Sequence, residues 1–251
     1  MAPLLELDGV TKQFGAFSAV DDVSFTVDAG EGITALIGPN GAGKTTTYNL
    51  LTGKLSPTEG QIRFKGEGVT GLSPAERTAR GMGRSFQITN IFEGLTVKRN
   101  LRIPIVARSD RRLDPFGSVD DDEELEGNVR EILELVGIEE IADIPCENLS
   151  YGDKRRVEIG ITLATDPDLV LLDEPTAGMS IEETRETGEL IQSLTAKGVS
   201  IVVVEHDINF VRQIGDWVTV LHNGRLFAEG TVPEIEADER VQNIYLGKQE
   251  A

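Results

Sequence analysis

The stretch that most constrains this chain runs from Ile33 to Thr45. Ile33-Thr34-Ala35-Leu36-Ile37 reads as a buried strand. It leads into Gly38-Pro39-Asn40-Gly41-Ala42-Gly43-Lys44-Thr45, which meets the phosphate-loop pattern G-x-x-x-x-G-K-[ST] at every position. Thr46 to Leu51 then read as a helix that stops at Gly53. Gly38, Gly41 and Gly43 let the backbone turn tightly, so that successive N–H groups point at one anion. The following helix adds its positive N-terminal end. Lys44 is expected over the β- and γ-phosphates, with the Thr45 hydroxyl offered to Mg²⁺. Pro39, Asn40, Ala42 and Thr46 complete the stretch that wraps the phosphates. A glycine-rich turn that binds nothing is the bland reading, and pattern and context together outweigh it. The implied ligand is a nucleoside triphosphate.

The 251 residues suffice for one large α/β domain with a subdomain inserted. No apolar run approaches the ~18 residues needed to cross a bilayer; Leu169–Leu172 and Ile201–Val204 are of strand length. The start, Met1-Ala2-Pro3-Leu4-Leu5-Glu6, lacks the basic region and cleavage site of a secretory signal. A single cysteine, Cys146, leaves no internal disulfide. A soluble, intracellular protein is expected. Acidic residues number 43 against 24 basic ones, a formal net charge of −19. Such a surface repels nucleic acid and anionic lipid, so no nucleic-acid partner is expected. The dispersed acids suit a salty cytoplasm, where a Debye length of ~3 Å at 1 M salt screens self-repulsion. An ordinary acidic protein is the other reading, and unfolding measured against KCl separates the two.

In chain order, residues 4–10 and 22–27 read as short strands, the second with clean alternation in Val23-Ser24-Phe25-Thr26-Val27. Between them Phe14, with Phe17 as the alternative, is a candidate to stack on a purine base; a plain core or surface phenylalanine is as good a reading of either. Gln61–Phe64 is a further strand, and Ser73-Pro74-Ala75-Glu76 opens a short helix that stops near Gly81. Gly83 to Gln87 reads as a strand ending in a polar amide. From there to about residue 150 the chain is expected to be mainly helical. Asp120-Asp121-Asp122-Glu123-Glu124 resembles a metal site but better suits the N-terminus of the next helix. That helix carries Leu125, Val129, Ile132, Leu133 and Val136 on one face and ends at Gly137. Ser150 and Asp153 stand in N-cap and N3 relation at the head of another helix, broken at Asp166-Pro167-Asp168. Ser180 caps the next, to about Lys197. Residues 216–221 and 225–229 form two strands joined by the Asn-Gly turn at 223–224.

Two apolar strands end in chemistry. Leu169-Val170-Leu171-Leu172 runs into Asp173-Glu174, and Ile201-Val202-Val203-Val204 runs into Glu205-His206-Asp207. The C-terminal ends of such strands are where α/β sheets bind ligands. Three strand ends are therefore expected to converge on one phosphate: Lys44 and Thr45, Asp173 and Glu174, and His206. Gln87 is a fourth polar tip, counted with both the catalytic and the metal-binding set. Asp173 would hold Mg²⁺, commonly through water. Glu174 would polarise the attacking water as general base. His206 would hydrogen-bond the γ-phosphate. Phosphoryl transfer is mostly positioning plus charge stabilisation, and this set supplies both. Taken singly, a carboxylate pair after a strand is often a solvated strand end; order and context together reverse that reading.

With Gly38–Thr45, Gln87, Leu149-Ser150-Tyr151-Gly152-Asp153, Leu169–Glu174 and His206 in place, the chain resembles the ATP-binding-cassette (ABC) ATPases over essentially its full length. The resemblance implies an α/β phosphate-loop NTPase fold with a RecA-like core, an N-terminal antiparallel β subdomain and an inserted helical subdomain. Residues 1–87 and 156–251 would form the core with its β subdomain, and 88–155 the helical signature subdomain. It also implies that Ser150 and Gly152 reach across a head-to-tail dimer to the γ-phosphate bound by the other subunit. ATP and Mg²⁺ are the implied cofactors. The implied partners are integral-membrane permease subunits, received near Gln87 and Ile88 to Val97, a second ATPase subunit of the same or a paralogous kind, and, indirectly, an external solute-binding protein. The implied place is the cytoplasmic face of the membrane.

Within the family, Arg84-Ser85-Phe86-Gln87, Tyr151, Ala177-Gly178-Met179 and the Ile244-Tyr245-Leu246-Gly247 tail are similar to the ATPases of branched-chain amino acid importers. Urea importers and lipopolysaccharide-export ATPases share several of these motifs. Two departures stand out: Asp153 replaces the usual Gln of the signature, and Ser180 stands where many relatives carry Asp. A soluble ATPase acting on nucleic acid or ribosomes would favour basic grooves, tandem cassettes or a long coiled-coil insertion, and the sequence has none. Retention of Lys44 and Glu174 argues against a regulatory module without turnover.

Overall fold

Pairing, more than local propensity, sets the first strands of the computed structural model, which describes residues 3–30, 32–84, 91–108 and 123–246. Strands β1 (Leu5–Phe14) and β2 (Phe17–Val27) are longer than the sequence suggests. Phe14 lies opposite Phe17 and Gln13 opposite Ser18, so the connection expected between residues 10 and 22 is mostly paired strand, a hairpin with its tip at Gly15-Ala16. Then come β3 (Ile33–Ile37) and α1 (Lys44–Leu51), the helix starting two residues before its expected first turn. β4 (Glu59–Phe64) and β5 (Glu67–Gly68) join β1 and β2 in an antiparallel sheet of order β2-β1-β4-β5.

Helix α2 (Pro74–Thr78) has the expected reciprocal cap between Ser73 and Glu76 but ends before Gly81. It leads to β6 (Met82–Arg84). The rest of the expected strand, with Gln87, lies outside the described residues, as does most of the charged segment before α4. Helices α3 (Val97–Arg108), α4 (Glu123–Val136) and α5 (Tyr151–Leu163) supply the helical region. The face expected on α4 is the one buried, and Glu123, Glu124 and Glu126 stand in its first turn.

Strand β7 (Leu169–Asp173), helix α6 (Ile181–Thr195), strand β8 (Ser200–Val204), helix α7 (Ile208–Ile214) and the hairpin β9 (Trp217–His222) with β10 (Arg225–Thr231) follow. Two short helices, α8 (Val232–Ala237) and α9 (Glu239–Leu246), close the described chain. Helices α7, α8 and α9 are not among the elements expected from the sequence. Among the described residues the larger sheet has the order β10-β9-β3-β8-β7-β6, parallel except for β10.

Both faces of this sheet are covered, which is why β7 and β8 read as continuous apolar runs. Val170, Leu172, Ile201 and Val203 point into a core shared with α3 to α7. Leu169, Leu171, Val202 and Val204 alternate to the other side, against α1 and the antiparallel sheet. Each is essentially fully buried, so truncating one to alanine costs about 2–5 kcal/mol. The rigidity bought by this double burial is what holds the strand ends still. No helix among the described residues is long and apolar enough to cross a membrane.

Candidate functional site: a phosphate loop facing two strand ends

Because β3 lies between β9 and β8, with β7 next, the loop after β3 opens beside the carboxyl ends of β8 and β7. The loop itself is glycine by necessity. A side chain on Gly38 would stand 2.3 Å from the Leu221 carbonyl oxygen, and one on Gly43, where φ is +98°, would stand 2.5 Å from that of Ala19. The Ala42 N–H closes a turn onto the Pro39 carbonyl at 3.1 Å. Helix α1 has no side-chain N-cap and no acid in its first turn. Its leading amides and the loop amides are thus left without a competing carboxylate, an arrangement that suits an anion. Lys44 is only 7% exposed. Its ammonium donates to the carbonyls of Gly38 (2.6 Å) and Pro39 (3.2 Å), curling back over the loop it would share with a phosphate. Asn40, Gly41 and Thr45 are exposed, and Thr46 is half-buried.

Asp173 ends β7 at 3% exposure, and its Oδ2 is buried without a hydrogen-bond partner. Burial pushes its carboxyl up to about 6, the neighbouring Glu174 charge adds to that, and Arg155 and Lys44 oppose it. An orphaned, desolvated carboxylate oxygen beside a phosphate loop fits a hard divalent cation, which takes oxygen ligands. The exposed Thr45 hydroxyl suits the same ion. Gln87, the third expected metal ligand, lies outside the described residues. Among the described residues no group of His, Cys, Asp and Glu gathers into a metal cluster of its own.

Glu174 takes φ +44°, a left-handed backbone that costs a non-glycine residue about 1–2 kcal/mol. Its N–H is held by the Val204 carbonyl at 2.9 Å, which pins it across the ends of β7 and β8. From there its Oε1 lies 3.3 Å from Nδ1 of His206. Glu205 was not singled out in the sequence, yet it organises this corner. It is 1% exposed. It accepts from the Thr176 hydroxyl (3.0 Å) and from the His206 N–H (3.1 Å), tying the loop after β7 to the loop after β8. Burial raises its carboxyl above the ordinary range. Nothing local in Val-Glu-His distinguishes it from a solvated strand end.

Ser150 caps α5 as the spacing suggests: its oxygen accepts from the Asp153 N–H (3.1 Å) and its hydroxyl donates to the Asp153 carboxylate (2.6 Å). Tyr151 donates to the Ala177 carbonyl at 3.3 Å, and a side chain on Gly152 would meet Glu183. The signature stretch therefore packs on the segment that follows Glu174. Ser180 forms a full capping box with Glu183, a helix-start role that accounts for one of the two departures. Phe14 and Phe17 face outward at the hairpin tip, 49% and 65% exposed, with the Lys12 ammonium 5.3 Å from the Phe14 ring centre. Neither is a core residue. A cleft of about 190 Å³ beside the loop is lined by Gly38, Pro39, Asn40, His206, Ile244 and Tyr245. The last two come from α9, whose position could not be read from its motif.

Comparison with known proteins agrees with this geometry. A family model described as ABC transporter matches residues 20–177. The high-affinity branched-chain amino acid transport ATP-binding protein LivG of Salmonella typhimurium is 38% identical over 98% of each chain. The lipopolysaccharide export system ATP-binding protein LptB of Haemophilus influenzae is 33% identical over 98% of each. Among solved structures, an ATP-binding cassette of an ABC transporter in its ADP conformation superposes with a TM-score of 0.84 at 32% identity, covering 98% of this chain and 100% of that one. A dimeric cassette in a post-hydrolysis state bound to ADP and Pi gives 0.75 at 27% identity, over 91% and 98%.

Proposed function

Since the chain belongs to the ABC transporter ATPase family, we propose that it is the ATP-hydrolysing motor subunit of an importer for branched-chain or other hydrophobic amino acids. The observation that carries the motor reading is the junction of β3, β8 and β7: a phosphate loop with its lysine stands beside a desolvated aspartate, a glutamate and a histidine on adjacent strand ends. The substrate class rests on the relatedness to LivG over nearly the whole chain.

In this reading the amides of Gly38 to Thr46 wrap the β- and γ-phosphates, and Lys44 leaves the Gly38 and Pro39 carbonyls to neutralise them. A bound Mg²⁺ would supply positive charge to offset that of the phosphates. Asp173, Thr45 and Gln87 would hold it. Glu174 accepts a proton from the attacking water, and its strained backbone aims the carboxylate at that position. His206 contacts the γ-phosphate while its Nδ1 side faces Glu174. Phe14, or Phe17, stacks on the base. Ser150 and Gly152 close the site of a second subunit in a head-to-tail dimer. For this the Ser150 hydroxyl gives up Asp153 for phosphate. ATP binding drives that closure and hydrolysis releases it.

The subunit would sit beneath membrane permease subunits at the cytoplasmic face, served by an external solute-binding protein, with a copy of itself or a paralogue as its dimer partner. Glu174→Gln tests the motor: it should bind ATP, dimerise, and lose nearly all turnover. Undiminished hydrolysis would remove Glu174 as the base. The likeness to LptB supports a second reading, a lipid-export ATPase. An uptake assay separates the two, because an importer subunit with its permease pair drives amino-acid uptake and an exporter subunit does not.

A further inference from the structure

The Asn-Gly turn between β9 and β10 touches two other segments with backbone alone. Asn223 and Gly224 have φ of +50° and +78°, the pairing of left-handed residues that a two-residue hairpin of this twist requires. The Gly224 N–H donates to the Ala42 carbonyl in the phosphate loop at 3.1 Å. Its carbonyl accepts from the Asp21 N–H on β2 at 2.8 Å. The backbone of one residue thus bridges the loop and the strand that leads back to Phe17. The fit has no slack. A side chain on Gly224 would stand 2.9 Å from the Ala19 carbonyl oxygen, and one on Gly43, already 2.5 Å from that oxygen, would stand 3.4 Å from the Gly224 Cα. Outside this contact Arg225 donates twice to Asp21 Oδ2, at 2.8 and 2.6 Å, clamping β10 to β2.

From Asp21 to Phe17, β2 spans about 13 Å at roughly 3.3 Å per residue. The strand therefore links the bridge to the hairpin tip where Phe14 and Phe17 pair. We infer that Gly224 is a positioning residue whose backbone sets the distance between the phosphate loop and the β1–β2 tip. The site would thereby grip base and phosphates of one molecule at once. This rests on the ATP site proposed above. It assigns to a glycine outside the proposed nucleotide-binding residues a selective effect on the base-linked part of binding.

The test is calorimetric titration of the full chain with magnesium ATP and, separately, with magnesium tripolyphosphate, which has the phosphates but no base. In Gly224→Ala, ATP should bind about tenfold more weakly and tripolyphosphate within about twofold of wild type. Gly66→Ala is the control. Gly66 has nearly the same φ, +77°, in the turn between β4 and β5, and a side chain there meets nothing within 4 Å among the described residues. It should change neither affinity. The double variant Asp21→Asn, Arg225→Gln loosens the clamp without adding a side chain and should weaken ATP alone by about threefold. It decides the matter if Gly224→Ala does not fold. Equal weakening of both ligands, or no weakening of ATP in either variant, overturns the inference. A wild-type chain that binds neither ligand overturns the ATP site itself.

Discussion

Nδ1 of His206 stands 3.3 Å from Oε1 of Glu174, across the ends of the adjacent strands β8 and β7. The backbone behind the imidazole is fixed, because the main-chain N–H of His206 donates to the buried Glu205. In the proposed site such a ring would orient the carboxylate and touch the γ-phosphate together.

His206→Ala should therefore lower kcat by about 10²-fold, the usual loss for one charge-stabilising contact. ATP affinity should change little, because in the proposed site the loop amides and Lys44 would provide most of the binding. Steady-state turnover with parallel calorimetry checks both. A kcat equal to wild type would take His206 out of the reaction.

Asp173 makes the apo protein sensitive to pH. Its native carboxyl sits near 6 against an ordinary 3.8, so between those values the folded state holds more protons than the unfolded one. Stability then falls as pH rises through this window, and the full cost, of order 3 kcal/mol, is present above it. Asp173→Asn carries no charge to bury. Without nucleotide or magnesium its Tm should exceed wild type at about pH 8, and the gap should close near pH 4. The same variant should lose magnesium-dependent turnover. A Tm gap independent of pH would contradict the assignment.

Arg77 is 1% exposed and faces carbonyls rather than a carboxylate. Its guanidinium donates to Leu50 and Leu51 (2.7 Å each), Thr70 (3.1 Å) and Leu72 (3.3 Å), capping the last turn of α1. Burial pulls it down to about 10. Arg77→Ala strands these acceptors and should cost about 3 kcal/mol in urea unfolding. Arg77→Lys should recover less than half, because one ammonium cannot span four carbonyls in a fork. A loss near zero in Arg77→Ala would show the carbonyls to be satisfied by water.

Ser180 and Glu183 cap α6 reciprocally. Ser180→Ala should cost about 1 kcal/mol, whereas Ser180→Asp should stay within about 0.5 kcal/mol, since both residues cap well. Thermal melts of the two variants check this. If turnover also survives in Ser180→Asp, the difference from relatives at this position is one of capping alone.

The phosphate loop, the apolar strands before Asp173 and His206, the caps at Ser73, Ser150 and Ser180 and the buried face of α4 were all legible because each is a local pattern. Spacing within a dozen residues states them. The extents of β1 and β2 were misjudged because pairing, not alternation, carries the strands to Phe14 and Phe17. Helices α7, α8 and α9 were missed for a related reason. Each has eight residues or fewer, too short to be stable alone, and exists by burying Phe210, Val211, Ile214, Ile235 and Val241. Arg77 looks in sequence like any surface arginine on a charged helix.

What the amino-acid order determined by itself was the inventory: a loop built to turn around an anion, two apolar strands ending in acids and a histidine, and helix starts with their caps. Only the tertiary structure decided which of these face one another. The order β9-β3-β8-β7 brings Lys44, Asp173, Glu174 and His206 to one edge. The same packing makes Glu205 a buried brace and Gly224 a bridge. The physical reason is range. Backbone propensity and capping act within a turn or two of chain, whereas desolvation and strand pairing depend on neighbours that are distant in sequence.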